Sequence, residues 1–254
     1  MREYIPPVND EERLFAKQIA KLALNAKYSG TKHTTMFLSD RQQDIASAVL
    51  KHNHCEDYIF AGGFDTAQRK ILCFCMNSEC AKASISCAEV KANNSKSILT
   101  HRDYLGAFLS LGIRREAMGD ILADANRAVV FALPAVITLL CNELSTVGRE
   151  TVSITPTSAP DTAVQLSEKE PVTASVASMR IDVILAAMLK VSRSEAQGLI
   201  RSALVEVNHI QINSVHYDIC EDDVITVRGY GKYKLTEIGG KSRKDRTFVQ
   251  FIQF

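Results

Sequence analysis

The stretch MRIDVILAAMLKVSRSEAQGLIRSALVEVN, residues 179–208, decides how the C-terminal quarter of the chain folds. Apolar residues at 181, 184, 185 and 188 recur with helical spacing, which predicts a helix with one buried stripe. Ser192 precedes a second helix and Glu195 follows three residues later, the capping-box arrangement in which the two side chains satisfy free backbone N–H groups. Leu204–Asn208 then reads as a strand that enters a turn. This order predicts a small module of two helices and a sheet.

The second helix of this module has two different faces. Small and aliphatic side chains form the predicted buried face: Ala196, Leu199, Ile200 and Ala203. Arg193, Gln197 and Arg201 recur at i, i+4 and i+8 and form a separate exposed line. Ser192 and Ser194 lie at the positive end of the helix, where a phosphate binds favourably. The line is either a solvated helix face or a surface for a polyanion.

The region after this helix is the most basic part of the chain. Asp223–Arg228 predicts an alternating strand. Residues 228 to 246 contain seven basic and two acidic side chains, a net charge of +5, interleaved with Tyr230 and Tyr233. Basic side chains neutralise phosphates and aromatic rings stack on bases, so this pattern favours RNA as the partner. The charges are the stronger signal, because tyrosines are also ordinary sheet residues.

Upstream, the pattern strand, helix, strand, strand, helix, strand predicts a ferredoxin-like or RRM-like α/β sandwich. The predicted strands are 71–76, 85–91, 119–123, 128–133, 151–155 and 172–175, with helices at 100–111 and 135–144. Two helices, 9–26 and 40–52, precede a strand at 57–64 that ends in the glycine turn Gly62-Gly63. Residues 156–171 read as a linker. The expected fold class is α+β, with a helical unit at 1–56, a central α/β domain at 57–177 and an RNA-binding domain at 178–254.

Composition excludes several other classes of protein. The 254 residues are 46% hydrophobic with a net charge of +1, which indicates folded cores rather than disorder. The N-terminus lacks the apolar segment of a signal peptide, and the most apolar run, 129–141, is too short to span a membrane. We therefore expect a cytoplasmic protein without membrane association.

The seven cysteines are an odd number and fit a reducing compartment. Four of them could supply zinc ligands: Cys73, Cys75, Cys80 and Cys87. Their spacing is not that of paired zinc knuckles, and Cys73 and Cys75 lie in a predicted buried strand. No metal and no small-molecule cofactor is predicted.

The C-terminal module resembles the S4-type RNA-binding domain, in which two helices and a small sheet dock onto structured RNA. The matching segments are Arg180-Ile181-Asp182, Ser192-Arg193-Ser194-Glu195-Ala196, Leu199-Ile200-Arg201-Ser202, Leu204-Val205, Val207-Asn208 and Asp223-Val224-Ile225. Ala203, His209 and Asp222 stand where that pattern usually has glycine. Charge and resemblance together make the following residues candidate RNA contacts: Arg180, Ser192, Arg193, Ser194, Gln197, Arg201, Asn208, Arg228, Lys232, Lys234, Lys241, Arg243 and Lys244.

Further segments extend the likeness to most of the chain, which resembles the YlmH family. They are Gly62-Gly63-Phe64, the block from Thr100 to Ala107, Leu111-Gly112-Ile113-Arg114-Arg115, Gly119-Asp120-Ile121 and the segment from Val227 to Lys234. The resemblance implies a non-enzymatic RNA-binding protein that associates with the large ribosomal subunit and an obstructed peptidyl-tRNA. It also implies a role in ribosome-associated quality control, where the stalled chain receives an untemplated C-terminal tail.

Several alternatives compete with this interpretation. His101-Arg102-Asp103 looks like a kinase catalytic loop, but Phe108 stands where asparagine is required and no glycine-rich loop precedes it. Arg102, Arg114 and Arg115 form either a second basic patch or a solvated surface. The alternative function is an RNA-modifying enzyme, a pseudouridine synthase or a methyltransferase, targeted by the C-terminal module. No catalytic residue is predicted, and rRNA, with tRNA, is the expected partner.

Overall fold

The computed structural model describes residues 6–29, 33–74, 83–93, 98–124, 126–158, 171–242 and 245–253. Contacts divide the chain into two compact units, one within residues 3–168 and the other within residues 169–254. Helices and strands are mixed throughout both units, which confirms the α+β class. The division into three domains stays a prediction.

The N-terminal part of the first unit is a pair of helices packed on a small sheet. Its elements are α1 (Asp10–Ser29), β1 (His33–Thr34), α2 (Asp40–His52), β2 (Ile59–Ala61) and β3 (Ile71–Phe74). The strands are antiparallel in the order β1-β3-β2. Ser39 and Gln42 form the capping box that starts α2. Strand β3 was expected in the central sheet, but it pairs instead with β1 and β2, because a strand's partners depend on contacts far along the chain.

The central part of the first unit has the predicted ferredoxin-like topology. Its elements are β4 (Ser86–Ala92), α3 (His101–Ser110), β5 (Met118–Asp124), β6 (Arg127–Ala132), α4 (Pro134–Glu143), β7 (Thr146–Val147) and β8 (Glu150–Thr157). The sheet order is β5-β6-β4-β8-β7, with every neighbouring pair antiparallel. Tyr104, Phe108 and Leu140 from the two helices are buried in one core with residues of the sheet. The strand and helix order read from the sequence is therefore confirmed for this domain.

A second layer of contacts joins the two parts of this unit. Phe64 packs on Phe131 with ring centroids 4.9 Å apart. Gly63 adopts a φ of +98°, and a Cβ there would lie 2.3 Å from the Phe131 ring. Glycine is therefore required at this turn for both its conformation and its size.

A cluster of half-buried polar side chains also joins the two parts of this unit. The register between β5 and β6 is irregular between Met118 and Ile121. The Arg115 guanidinium donates to the carbonyl oxygens of Met118 and Gly119 at 2.9 Å, and Arg69 donates to the Met118 oxygen at 3.1 Å. Asp120 in turn accepts from the backbone N–H groups of Gln68 and Arg69. Burial and the nearby Arg69 lower the pKa of Arg115 to about 10.

The second unit is a six-stranded antiparallel sheet with two helices. Its elements are β9 (Val172–Val176), α5 (Ile181–Leu189), α6 (Arg193–Arg201), β10 (Val205–Val207), β11 (Ile210–Gln211), β12 (Val224–Val227), β13 (Gly231–Lys241) and β14 (Thr247–Gln253). The order is β11-β10-β12-β13-β14-β9. Strand β9, read from the sequence as part of the central domain, pairs with β14. Most of the expected linker, residues 159–170, lies outside the described residues.

The two helices cover one face of this sheet. Ile181, Ile184, Leu185, Met188, Ala196 and Ile200 are buried there with inward residues of the strands, which confirms the stripe of α5 and most of the stripe of α6. Leu199 is half-buried, but Ala203, which was predicted for the buried face, is exposed because α6 ends at Arg201. Tyr233, Leu235, Val249 and Phe251 supply the inner face of the two long strands. Because side chains alternate along a strand, Lys232 and Lys234 lie on the opposite, outer face.

The turns of this unit adopt left-handed backbone at the three positions where the S4 pattern usually has glycine. Ala203, His209 and Asp222 have φ values of 56°, 68° and 71°. Ala203 ends α6, where the N–H of Leu204 donates to the Leu199 oxygen at 3.1 Å. The turn geometry of the pattern is thus kept without its glycines, at a conformational cost for each residue.

No helix within the described ranges is long and apolar enough to cross a membrane. Over the same ranges no group of three or more His, Cys, Asp or Glu side chains could hold a metal ion. Cys75 and Cys80 of the disfavoured zinc set lie outside the described residues, while Cys73 is buried in β3.

We predict that Ala203→Gly stabilises the protein by about 0.5–1 kcal/mol, since glycine adopts the left-handed region without the Cβ penalty. Chemical denaturation of the full chain measures this change. Ala187→Gly, inside α5, is the matched control and lowers stability by about 1 kcal/mol. A loss of stability in Ala203→Gly would contradict the assigned conformation.

We also predict that Arg115→Ala lowers the free energy of unfolding by about 2 kcal/mol, because buried carbonyl oxygens lose their donor. The neighbouring Arg114→Ala removes an exposed side chain and changes stability by less than about 0.5 kcal/mol. Equal effects of the two variants in urea denaturation would show that Arg115 has no special structural role.

Candidate nucleic-acid interface

A buried carboxylate lies at the centre of the candidate interface. Asp182 is in the first turn of α5, and its side chain is 0% exposed. Burying a charge without partners is costly, so its hydrogen bonds decide whether the arrangement is stable. The N-terminal end of the helix adds a favourable dipole.

Three side chains surround this carboxylate with hydrogen-bond donors. Arg180 donates from Nε to Oδ1 at 3.2 Å and from Nη2 to Oδ2 at 3.1 Å. Arg193 donates from Nε to Oδ2 at 2.8 Å, and Gln197 donates from Nε2 to the same oxygen at 2.9 Å. Two of the three residues in the predicted polar line of α6 are therefore held in place from the neighbouring helix.

These contacts hold the donors without burying them. The side chain of Arg180 is 29% exposed and that of Arg193 is 54% exposed. Arg193 contacts Asp182 through Nε, which leaves its terminal nitrogens outside this contact. A guanidinium fixed in this way can present its other donors to a phosphate in a defined direction.

The charge state of Asp182 follows from the same geometry. Burial raises the pKa of this carboxyl, but hydrogen bonds from Gln197, Arg193 and Arg180 outweigh burial and hold the pKa below its ordinary value. Asp182 is therefore ionised at neutral pH, and both arginines face a negative charge.

Arg201 and Arg228 extend this surface as exposed cations. In the part of the chain that the structure describes, neither guanidinium has a hydrogen-bond or ion-pair partner. Arg201 is in the last turn of α6, and the N–H of Arg228 donates to the oxygen of Leu204, three residues beyond Arg201. We call the surface of Arg180, Arg193, Gln197 and Arg201 the α5–α6 face, and Arg228 follows its C-terminal end.

The first turn of α6 differs from the expectation in one respect. Ser192 was predicted to help bind phosphate, but its Oγ accepts from the Glu195 N–H at 3.2 Å. The Ser192 N–H donates to the Glu195 carboxylate at 2.8 Å. The capping box is confirmed, and it places a carboxylate at the helix end where a phosphate was expected. Ser194 remains exposed beside it.

Asn208 is placed differently from the other candidates. Its Nδ2 donates to the carboxylate of the buried Asp223 at 2.7 Å, and its Oδ1 accepts from the Val224 N–H at 3.0 Å. These bonds tie the β10–β11 turn to β12. Asn208 therefore has a structural role in this turn, which sequence reasoning did not anticipate.

The basic C-terminal residues do not join the α5–α6 face as one surface. Lys232 and Lys234 lie on the outer side of the sheet, away from the helices, and Lys234 contacts Asp222 at 2.6 Å. Lys241 contacts Asp245 at 2.7 Å in an exposed pair. Arg243 and Lys244 lie outside the described residues. The structure thus separates a run that is continuous in sequence.

The possible second basic patch stays a prediction for Arg102 and Arg114, whereas Arg115 has a structural role. Arg115 is turned inward onto backbone carbonyls, as described above. Arg102 is in the first turn of α3 and Arg114 follows its C-terminal end, so this 10-residue helix of about 15 Å lies between them. Arg102 and Arg114 are exposed but separate. The bulge in β5, which a single sequence does not reveal, explains the position of Arg115.

The kinase-like triplet His101-Arg102-Asp103 lies at the start of helix α3, which follows Thr100. The Asp103 carboxylate accepts from the Thr100 N–H at 2.8 Å and from its hydroxyl at 2.7 Å. Those two hydrogen bonds lower the pKa of Asp103. Asp103 thus stabilises the start of a helix.

Comparison with known proteins gives a family match for the ferredoxin-like domain and another for the second unit. Residues 81–161 match the family described as "Putative RNA-binding domain in YlmH", and residues 179–225 match the S4 domain. The first match spans most of the ferredoxin-like sheet, and the second contains the whole α5–α6 face.

Individual proteins are also similar to this chain. The chain is 28% identical over 244 residues to the ribosome-associated protein quality control protein P2 of Bacillus subtilis, covering 95% of both chains. Among solved structures, the cell division protein ylmH from Streptococcus pneumoniae matches 61% of this chain and 96% of that chain, with 19% identity and a TM-score of 0.49. The 30S ribosomal protein S4e from Thermoplasma acidophilum matches 32% and 38%, with 17% identity and a TM-score of 0.22. At these TM-scores neither structural likeness carries an inference. The chain thus contains a domain that matches the putative RNA-binding domain in YlmH, followed by an S4 domain, and it is similar over nearly its whole length to the Bacillus subtilis protein.

Proposed function

We propose that this protein binds structured ribosomal RNA through the α5–α6 face and acts as a non-catalytic factor in ribosome-associated quality control. The observation that carries the proposal is the buried Asp182, which aligns Arg180, Arg193 and Gln197 on the surface of an S4 domain. Aligned, charged donors are what recognition of a phosphate backbone requires.

The charge distribution supports RNA as the ligand. The net charge of the whole chain is only +1, so attraction to a polyanion has to come from a local surface. The α5–α6 face and Arg228 supply four guanidinium groups from one small domain. Asp182 offsets one of these charges, and the remainder favours contact with several phosphates.

The ribosome enters the proposal through the Bacillus subtilis relative, whose name describes a ribosome-associated quality control protein. We assign the large ribosomal subunit and a peptidyl-tRNA as the particle and ligand of this chain. A protein that works on ribosomes is expected in the cytoplasm. The α5–α6 face would dock on ribosomal RNA, and the ferredoxin-like domain would lie available for a second RNA.

A non-catalytic role is consistent with the roles of the perturbed carboxyl groups. Among the described residues, the carboxyl groups with shifted pKa values all accept hydrogen bonds that stabilise the fold or the α5–α6 face: Asp103, Asp120, Asp182 and Glu195. A general acid or base needs access to substrate, whereas these groups are occupied by neighbouring donors.

We predict that Arg193→Ala and Arg201→Ala together weaken binding to purified large ribosomal subunits. The slope of log affinity against log salt should fall by about one unit for each lost phosphate contact. Filter binding over a salt series measures both quantities, and thermal melting verifies that the variant is folded.

A double variant of Arg13→Ala and Arg149→Ala removes the same charge from the other unit and serves as the control. Both side chains are exposed. The control should keep most of the wild-type affinity. Equal losses in the two double variants, or unchanged co-sedimentation of Arg193→Ala/Arg201→Ala with subunits, would contradict docking through the α5–α6 face.

A further inference from the structure

We infer that Asp182 is a positioning residue for RNA recognition, which makes the α5–α6 face selective for one arrangement of phosphates over a generic polyanion. This inference rests on the proposed function. It adds a role to a residue that itself touches no ligand, since its side chain is fully buried.

The geometry restricts each donor to one direction. Without Asp182, Arg180 and Arg193 would be long, flexible side chains on two different helices. With it, a single oxygen, Oδ2, accepts from all three side chains: from Arg180 at 3.1 Å, Arg193 at 2.8 Å and Gln197 at 2.9 Å. Side chains that are ordered before binding lose less entropy on binding the matching ligand. Side chains held in this way do not move to fit a ligand whose phosphates are spaced differently. The gain in affinity is therefore limited to the matching ligand.

Electrostatics alone predicts the opposite effect on affinity. Asp182 carries a negative charge directly behind the basic face, so replacing it by a neutral residue raises the local charge by one unit. If the face acted only as a charged surface, that replacement would tighten binding to every RNA. If Asp182 positions the donors, the replacement weakens binding to the matching RNA and does not weaken binding to other RNA.

The same domain offers a matched control. Asp223 is also buried, at 8% exposed, and accepts from Asn208 at 2.7 Å and from the Cys220 N–H at 2.8 Å. These contacts are within turns of the sheet and include no residue of the α5–α6 face. Asp223→Asn therefore tests the loss of a buried carboxylate without disturbing Arg180, Arg193 or Gln197.

The experiment measures affinity for two probes, purified large ribosomal subunits and a short RNA duplex of random sequence, with full-length protein. Selectivity is the dissociation constant for the duplex divided by the dissociation constant for the subunits. We expect Asp182→Asn to lower this ratio about tenfold, a typical effect for a disrupted arginine contact, with duplex binding equal or tighter. Asp223→Asn should leave the ratio at the wild-type value.

Arg193→Lys tests the same idea while Asp182 remains in place. Lysine keeps the positive charge but lacks the planar fork that donates to Asp182 while presenting further donors outward. We expect this variant to lose selectivity with an unchanged salt slope. It also provides the test if Asp182→Asn does not fold.

The outcomes separate the two proposals. If wild-type protein shows no preference for subunits over the duplex, the proposed function fails. If wild-type protein is selective, Arg193→Ala/Arg201→Ala weakens binding, and both Asp182→Asn and Arg193→Lys keep wild-type selectivity, only the positioning role of Asp182 is overturned. Tighter binding of Asp182→Asn to both probes in equal measure would also overturn it.

Discussion

The α5–α6 face of this protein depends on one buried negative charge. An isolated carboxylate in a core would be strongly unfavourable, and breaking a buried ion pair typically costs about 3–5 kcal/mol. Asp182 is stable in its position because two arginines and a glutamine donate to it. The contact works in both directions, since the carboxylate orders the donors that neutralise it. It also joins α5 to α6.

The rest of the S4 domain fixes the positions of the two helices that make the Asp182 contact. The apolar stripes of α5 and α6 pack on the inner face of the sheet, which fixes the distance between the helices. Left-handed residues at Ala203, His209 and Asp222 keep turns that glycine would form with less strain. Asn208 and Asp223 then hold the β10–β11 turn against β12. Local strain at these turns is thus compatible with a precise surface.

Sequence reasoning predicted the features that depend on neighbouring residues. The capping box at Ser192 and the apolar stripe of α5 follow from spacings of three and four residues. The ferredoxin-like order followed from a regular alternation of strands and helices. The partner strand of β9 could not be predicted in this way, because Val172–Val176 pairs with a strand more than seventy residues later.

The site was predicted in part, for the same physical reason. The line of Arg193, Gln197 and Arg201 is visible within one helix, but its anchor is on another helix, eleven residues before Arg193. An acidic residue beside the apolar stripe of α5 was the available signal, and a helix dipole alone could account for it. The contacts of Arg115 with the backbone of Met118 and Gly119 lie beside an irregular register of β5, which the sequence does not reveal. In the second unit, the basic residues of 228–246 are continuous in sequence but do not form one surface.

The central claim is that RNA lies against the α5–α6 face. A photo-crosslinking amino acid placed at Ser194, exposed in the first turn of α6, reports contacts of this face. The same amino acid at Gln250, in β14, reports contacts of the outer side of the sheet. With purified large ribosomal subunits, we expect RNA crosslinks from position 194 in clear excess over position 250. Crosslinks from position 250 without any from position 194 would contradict the claim.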